Sequence, residues 1–111
     1  MVFLLVHLAL SYRVRQEQLR ELKNIVRNVS KPCIVAGDFN VLTGKHELEL
    51  FQEASGLIEP VGNQLPTFPS WKPKRNLDFI LHTPQIRMSN FRVPQVLYSD
   101  HLPLLCDFDI P

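Results

Sequence analysis

The chain has 111 residues, which suits one domain with a hydrophobic core of its own. Hydrophobic residues make up 45% and charged residues 21%, which excludes an intrinsically disordered chain. The formal net charge is only +1, which excludes a general electrostatic attraction to nucleic acid or anionic membrane, so a polyanion would have to be bound by locally placed groups.

The N-terminal third predicts a strand, a helix and a second strand. Residues 2–10 are an apolar run interrupted by one histidine, as in a strand covered on both faces. In residues 13–28 the period becomes helical, with Ser11 as a candidate N-cap and an apolar stripe formed by Leu19, Leu22, Val26 and Val29. Residues 33–36 predict a second buried strand, so the segment is a crossover unit.

No membrane segment is expected in this chain. The opening apolar run is well below the roughly 18 residues of a membrane span. It also lacks the basic flank and small-residue cleavage site of a signal peptide, which favours a cytoplasmic protein. Cys33 and Cys106 lie in apolar runs and are interpreted as reduced core residues rather than a disulfide or a metal pair.

The rest of the chain predicts one helix, a long loop and three strands. The apolar residues Leu48, Phe51 and Ala54 favour a helix that ends at Gly56. Residues 59–76 are irregular and rich in proline, and a loop of this length in a compact domain is more often functional than a linker. Strands are predicted at the end of the chain, over residues 77–81, 86–98 and 102–108. No domain boundary is evident within residues 1–111.

Two short motifs stand where predicted strands meet loops. Gly37-Asp38-Phe39-Asn40 follows one strand, and Ser99-Asp100-His101 precedes another. Two aspartates, an asparagine and a histidine together offer the oxygen ligands of a hard cation and an imidazole for a phosphate. Asp78 interrupts the apolar run 77–81, where a carboxylate needs a partner, and His101 is the obvious one.

Each motif has a simpler interpretation when it is taken alone. Gly-Asp-Phe-Asn also fits a turn, because Asp and Asn bond their own backbone and Gly accepts positive φ. Ser-Asp-His also fits a cap or an exposed loop, and Asp78 could face solvent. Their joint occurrence in a compatible strand context is harder to explain by turns.

With these motifs, several further segments resemble the C-terminal part of the endonuclease/exonuclease/phosphatase superfamily, which includes DNase I-like nucleases. The matching segments are Val6-His7-Leu8, the helix bearing Arg13, Gln16 and Leu19, Thr67-Phe68-Pro69-Ser70-Trp71, the run 77–81 and residues 99–104. The resemblance implies an α/β (α+β) fold that is half of a four-layer α/β/β/α sandwich. It also implies a mixed, mostly antiparallel sheet with two helices on one face.

The resemblance also implies a role for each candidate site residue. Asp38 would orient and deprotonate the attacking water, and Asn40 would hold that water or a phosphate oxygen. Asp38, Asn40 and Asp100 would bind the cation, Mg²⁺ or Mn²⁺. His101 would contact the phosphate, with Asp78 fixing its imidazole. His7 would contact the scissile phosphate, and its alternative is a buried core histidine.

The implied reaction is metal-dependent hydrolysis of a phosphoester by in-line attack of water. The substrate class stays open among nucleic acid, a phospholipid head group and a small phosphodiester. Trp71, Lys74 and Arg75, on the loop before Asp78, are candidate substrate-binding residues. A solvated basic loop with one packed aromatic is the alternative.

The family's N-terminal half normally supplies an Asn and a Glu metal ligand, and no residue before His7 matches either of them. We therefore expect a truncated domain whose sheet has one uncovered apolar face. The expected explanations are a fragment, a homodimer that covers the face, or pairing with a separate first half. The alternative to an enzyme is a catalytically incomplete interaction module that uses this face.

Overall fold

The structure is a computed structural model that describes residues 1–61 and 65–110. In the described part, helices and strands alternate at first and strands alone follow: β1 Val2–His7, α1 Tyr12–Asn28, β2 Cys33–Asp38, α2 Lys45–Ser55, β3 Asp78–His82, β4 Arg87–Arg92 and β5 Leu105–Asp109. The predicted mixed α/β class with two helices is confirmed. Neither helix in these ranges has the length and apolar character needed to cross a bilayer.

The five strands form two sheets. β1 and β2 pair in parallel, as a crossover unit requires, and β3 adds to β2 in the antiparallel direction. β4 and β5 form a separate antiparallel ribbon, with an irregularity between Ser89 and Arg92. Both pairings that follow the crossover are antiparallel, in agreement with the mixed, mostly antiparallel arrangement that was expected.

The ends of β1 and β2 differ from the sequence prediction by a few residues. β1 ends at His7, and beyond it the backbone N–H of Ala9 donates to the side chain of Gln18 on α1. β2 continues through Gly37 to Asp38. Gly37 has φ +140°, and a Cβ there would lie 2.0 Å from the carbonyl oxygen of Val6, so only glycine fits between the paired strands.

The helix boundaries follow their capping residues. The Ser11 side chain accepts a hydrogen bond from the backbone N–H of Val14, so the predicted N-cap of α1 is confirmed. Gly56 is left-handed at φ +79° and ends α2 as predicted.

The main core lies between the helices and one face of the three-stranded sheet. It is built from Leu19, Leu22, Val26, Cys33, Val35, Leu48, Phe51, Phe79 and Leu81, together with neighbouring loop residues. Cys33 is fully buried, as predicted, whereas Cys106 on the β4–β5 ribbon is only partly buried because that ribbon stands outside this core.

The other face of the three-stranded sheet is exposed mainly along β1, whereas Ile34 and His82 on the same face are buried and the Phe3 ring contacts Phe108 of β5. Leu5, Ala36 and Ile80 form one row across its strands, and Leu5 is 86% exposed. Phe3, two residues earlier on the same face, is 57% exposed. The next row along the strands on this face consists of His7, Asp38 and Asp78, so the polar site lies at the end of this face.

Candidate functional site

The strand register brings three of the candidate side chains into one row. His7 pairs with Asp38 on the parallel neighbour, and Asp38 pairs with Asp78 on the antiparallel one. Residues in one row across a sheet point to the same face. The row opens into a cavity of about 490 Å³, whose described lining residues are His7, Leu10, Asp38, Asn40, Leu42, Phe68, Leu77, Asp78, Asp100 and His101.

Asp38 uses its two carboxylate oxygens differently. Oδ1 accepts a hydrogen bond of 2.9 Å from the backbone N–H of Asn40, which closes the turn. Oδ2 lies 3.7 Å from Nε2 of His7 and 3.5 Å from Nε2 of His101. The turn interpretation of Gly-Asp-Phe-Asn is therefore correct for the backbone, while the same carboxylate also faces both imidazoles.

Asn40 is buried and holds an uncommon backbone conformation. Its φ is +47°, a left-handed value that Asn tolerates better than most residues. Its side-chain Nδ2 donates to the carbonyl oxygen of Leu8 at 2.6 Å, just past the end of β1. Asn40 thus links the loops that leave β1 and β2, and its amide oxygen is the side-chain atom left to face a ligand.

His101 is held in place by the loop that precedes β3. The backbone N–H of Ser70 donates to the carbonyl of Asp100, and that of Leu102 donates to Thr67, both at 2.8 Å. The His101 ring packs against Phe68, with 4.9 Å between the ring centroids. The long loop predicted to be functional therefore positions the Ser-Asp-His segment.

Asp78 holds the His101 imidazole. Nδ1 of His101 donates to Oδ2 of Asp78 at 2.7 Å, and the buried Thr67 hydroxyl donates to the same oxygen at 2.6 Å. Burial by itself would lower the pKa of His101. The hydrogen bond and charge of Asp78, followed by the charges of Asp38 and Asp100, outweigh burial and raise that pKa above its ordinary value. The site thus favours a protonated imidazole.

Asp38 is also perturbed. Partial burial raises the pKa of its carboxyl, and the charge of Asp78 acts in the same direction. The hydrogen bond from Asn40 and the charges of His101 and His7 oppose these effects without cancelling them. Asp38 is consequently a stronger proton acceptor than an exposed aspartate.

The described residues include one cluster that can hold a metal ion. Ligand atoms of Asp38, Asp78 and His101 all lie within 4.8 Å of one another. Carboxylate oxygens at the mouth of a polar cavity are the donors that a hard divalent cation takes. Asn40 and Asp100 line the same cavity, and Asp100 is exposed there. The residue types present are therefore compatible with such an ion.

The remaining candidates differ in their position relative to this cavity. The His7 side chain is 79% exposed, so the alternative of a buried core histidine is wrong. Lys74 and Arg75 line a neighbouring groove rather than the cavity itself. Trp71 is 69% exposed, and it is absent from the described lining of both.

Sequence reasoning did not single out a buried ion pair behind the site. Arg15 is 1% exposed and Glu47 6% exposed. The Arg15 guanidinium binds the Glu47 carboxylate and also donates to the carbonyls of Ala9 and Leu10 at 3.1 and 2.8 Å. Arg15 precedes Leu19 by four residues and so lies on the apolar stripe of the helix, and this spacing was the signal in the sequence that Arg15 is buried.

A second unforeseen residue is Thr67, whose hydroxyl shares the oxygen of Asp78 that binds His101. It lies in the Thr67-Phe68-Pro69-Ser70-Trp71 segment, which is one of those that resemble the family. Residues of α1 also belong to the resemblance. Of these, Arg13 is exposed, whereas the side chain of Gln16 donates to Glu47 at 2.6 Å.

Comparison with known proteins finds one matching family model and two similar proteins. The model of the Endonuclease/Exonuclease/phosphatase family matches residues 4–101. Nocturnin from Mus musculus is 28% identical over 117 residues, a match that covers 81% of this chain and 27% of Nocturnin. Nocturnin from Rattus norvegicus matches to the same extent.

Solved structures share the fold. A mannosyl-6-phosphatase from Bacteroides thetaiotaomicron superposes with a TM-score of 0.77 at 20% identity, covering 97% of this chain and 51% of that one. An endonuclease/exonuclease/phosphatase from Bacteroides vulgatus gives a TM-score of 0.64 at 24% identity, covering 89% and 43%. The chain thus spans about half the length of these structures and about a quarter of Nocturnin.

Proposed function

The chain belongs to the endonuclease/exonuclease/phosphatase family, and we propose that it hydrolyses a phosphoester by in-line attack of water, with a divalent cation, Mg²⁺ or Mn²⁺, as cofactor. The observation that carries the proposal is the position of Asp38. Its Oδ2 faces the Nε2 atoms of both His7 and His101 at the mouth of a 490 Å³ cavity.

In this proposal Asp38 orients the attacking water and accepts its proton. Its raised pKa supports that role, because a general base works best when its pKa approaches the working pH. Asn40, fixed through Leu8 and through the turn at Asp38, holds the water or a phosphate oxygen with its amide.

The two histidines bind the phosphate. His101 presents Nε2 to the cavity while Nδ1 is bound by Asp78, and the raised pKa favours the cationic ring that stabilises negative charge on phosphate oxygens. Asp78 is a positioning residue in this scheme, and Thr67 positions Asp78. His7, exposed at the opposite edge of the row, contacts the scissile phosphate.

We propose that Asp38, Asn40 and Asp100 hold the cation. When bound, the cation would polarise the phosphate and stabilise the leaving oxygen. His101 is less suited to be a ligand, because its protonated ring has no lone pair to offer. Asp78 already accepts hydrogen bonds from Thr67 and His101, so Asp38 is the carboxylate of the row that we assign to the cation.

The substrate is a phosphoester of open class: nucleic acid, a phospholipid head group or a small phosphate ester. A relative of the same fold is a mannosyl-6-phosphatase, which supports testing sugar phosphates as well. Lys74 and Arg75 beside the cavity, with Trp71 on the same loop, are the proposed substrate-binding residues.

The test is hydrolysis of bis(p-nitrophenyl) phosphate with Mg²⁺, with Mn²⁺ and with EDTA. We expect metal-dependent turnover that falls at least about 100-fold in Asp38→Asn, because the proton acceptor is lost while the shape is kept. Asp107→Asn, an exposed carboxylate of β5, is the matched control and should retain full turnover. Equal rates in wild type and Asp38→Asn would refute the proposal for this chain.

A second candidate is an association module that is catalytically incomplete by itself. It is favoured by the exposure of Phe3 and Leu5, since apolar side chains adjacent on one face mark contact surfaces. The occupant would be a second copy or a complementary half-domain. Absence of metal-dependent turnover in a chain that associates through this face would favour this candidate over the first.

A further inference from the structure

A groove between the two helices lies apart from the candidate site. Its lining includes Leu19, Arg20 and Lys23 of α1 and Leu50, Phe51 and Ala54 of α2, and we call it the interhelical groove. It shares no described lining residue with the cavity of the candidate site. Its volume of about 230 Å³ is below the roughly 300–1,000 Å³ of most ligand pockets, so it suits one inserted side chain rather than a whole small molecule.

The inside of the interhelical groove is apolar. Leu19 and Phe51 are buried there. Leu50 and Ala54 border the groove one turn apart on α2, and Leu50 is 53% exposed. Contact with another apolar side chain would remove this surface from water, which is favourable. The groove therefore offers an anchor point for one apolar side chain of a partner.

The α1 side of the groove is cationic. Neither Arg20 nor Lys23 lies within 4.0 Å of a carboxylate in the part of the chain that the structure describes. Glu47 is the acidic residue of the described lining, and its carboxylate is bound by Arg15 and Gln16. Because Arg15 compensates the charge of Glu47, the groove keeps two positive charges without acidic partners.

The same charge continues along α1. Arg13, Arg20 and Arg27 are exposed and follow one another at intervals of seven residues, which places them on one side of the helix. Together they form a cationic edge that extends over about 21 Å at the helical rise. Glu17 and Glu21, also on α1, are absent from the described lining of the groove. A surface of this kind is complementary to an acidic partner.

We propose that the interhelical groove and the cationic edge of α1 dock an acidic, amphipathic peptide segment of a partner protein. An apolar side chain of the segment enters between Leu19, Leu50 and Phe51, and its carboxylates contact Arg20 and Lys23. In this binding mode apolar anchors recur at helical spacing, while the charges set orientation and partner choice. The inference does not depend on the proposed hydrolysis, because the two cavities have no described lining residue in common.

A peptide fits the groove better than a nucleic acid does. Single-stranded nucleic acid is held by exposed aromatic rings on which its bases stack. The aromatic residue of the described lining, Phe51, is buried. The apolar interior between cations is instead what an acidic peptide with one inserted apolar side chain requires.

The test is a fluorescence anisotropy titration of the whole chain, in EDTA, with a labelled helical peptide of about 14 residues, the length of the cationic edge. Leucines stand at every third or fourth position of this peptide and glutamates fill the others. Two control peptides carry lysine in place of glutamate or serine in place of leucine. We expect the acidic leucine peptide to bind at least about tenfold more tightly than either control.

One pair of variants tests the charge. Arg20→Gln/Lys23→Gln should weaken binding of the acidic leucine peptide at least about tenfold, because its carboxylates lose their partners. Lys72→Gln/Arg87→Gln removes the same two charges at exposed positions outside the described lining, and this matched control should bind as the wild type does.

A second pair tests the apolar anchor. Leu50→Ala should weaken binding at least about threefold, because less apolar surface is buried. Leu97→Ala, at an exposed leucine outside the described lining, is the control and should keep the affinity.

Three results would overturn the inference. The first is no binding of the acidic leucine peptide at about 1 mM. The second is equal weakening by the groove variant Arg20→Gln/Lys23→Gln and its matched control, which would mean an unspecific attraction of charge. The third is an oligonucleotide that binds more tightly than the peptide and depends on Arg20 and Lys23, which would assign the cationic edge to nucleic acid.

Discussion

At the scale of single residues, the site depends on carboxylates that each bind more than one partner. Asp38 closes a turn with one oxygen and faces two imidazoles with the other. Asp78 binds Thr67 and His101 through one oxygen. The carboxylates of Asp78, Asp38 and Asp100 all act to raise the pKa of His101, so the protonation state of its imidazole depends on all three.

The first prediction concerns the pKa of His101. Replacing Asp78 by Asn keeps the shape but removes the carboxylate whose hydrogen bond and charge contribute most to raising this pKa, so we expect the pKa to fall. NMR titration of the His101 ring protons measures it directly. Asp107→Asn should leave the titration of His101 unchanged, and an unaltered pKa in Asp78→Asn would contradict the assigned cause.

The same interaction has a defined effect on stability. The folded-state pKa of His101 is raised above its unfolded value of about 6.5. The stabilising contribution of the His101–Asp78 pair is therefore present in full below about pH 6.5 and is lost as the pH rises through the raised pKa. In Asp78→Asn this part of the pH dependence of the free energy of unfolding should be reduced.

At the scale of elements, the two helices do more than cover the sheet. The carboxylate of Glu47, in the first turn of α2, accepts hydrogen bonds from Arg15, Gln16 and the hydroxyl of Thr43. Arg15, in the first turn of α1, also binds the carbonyls of Ala9 and Leu10. One buried ion pair thus joins the loop that follows His7 to the loop that follows Asn40.

We predict that Glu47→Gln lowers the free energy of unfolding by about 3–5 kcal/mol. The physical reason is that the substitution leaves the Arg15 guanidinium buried without its counter-charge. Chemical denaturation measures the effect, with Glu49→Gln, exposed on the same helix, changing stability by no more than about 0.5 kcal/mol. A loss below about 1 kcal/mol would mean that backbone carbonyls alone satisfy Arg15.

At the scale of the whole molecule, the sheet has two unlike faces. One face is buried under both helices, whereas Phe3 and Leu5 on the other are 57% and 86% exposed. The row of His7, Asp38 and Asp78 lies at the end of this face, so a partner that covers the face would also border the candidate site. The solved structures of the same fold are about twice as long as this chain.

We predict that the chain associates in a concentration-dependent manner and that Leu5→Lys reduces the association, because a buried lysine charge is costly. Sedimentation velocity over a range of concentrations measures it. Leu50→Lys, at a leucine of α2 that is 53% exposed, is the control and should not change the distribution. A wild-type chain that stays monomeric throughout would contradict the prediction.

Local patterns were sufficient to predict the elements and to select the candidate site residues. The period of the apolar residues predicted the presence of both helices and of five strands, although β4 ends at Arg92 rather than at residue 98 and β5 begins at Leu105 rather than at residue 102. Ser11 and Gly56 marked two of the helix ends. The pairing of Asp78 with His101 was also expected, because a carboxylate in an apolar strand needs a partner. Such signals are readable because they depend on backbone preference and solvation near each residue.

Only the tertiary structure decided which distant groups meet. The row of His7, Asp38 and Asp78 depends on strand register, and the Thr67 contact depends on how a long loop packs. The partner of Arg15 is Glu47, 32 positions away on the other helix, and no local pattern identified that partner. The separation of the β4–β5 ribbon from the three-stranded sheet arises in the same way, because contacts between remote segments are set by packing that no local sequence pattern encodes.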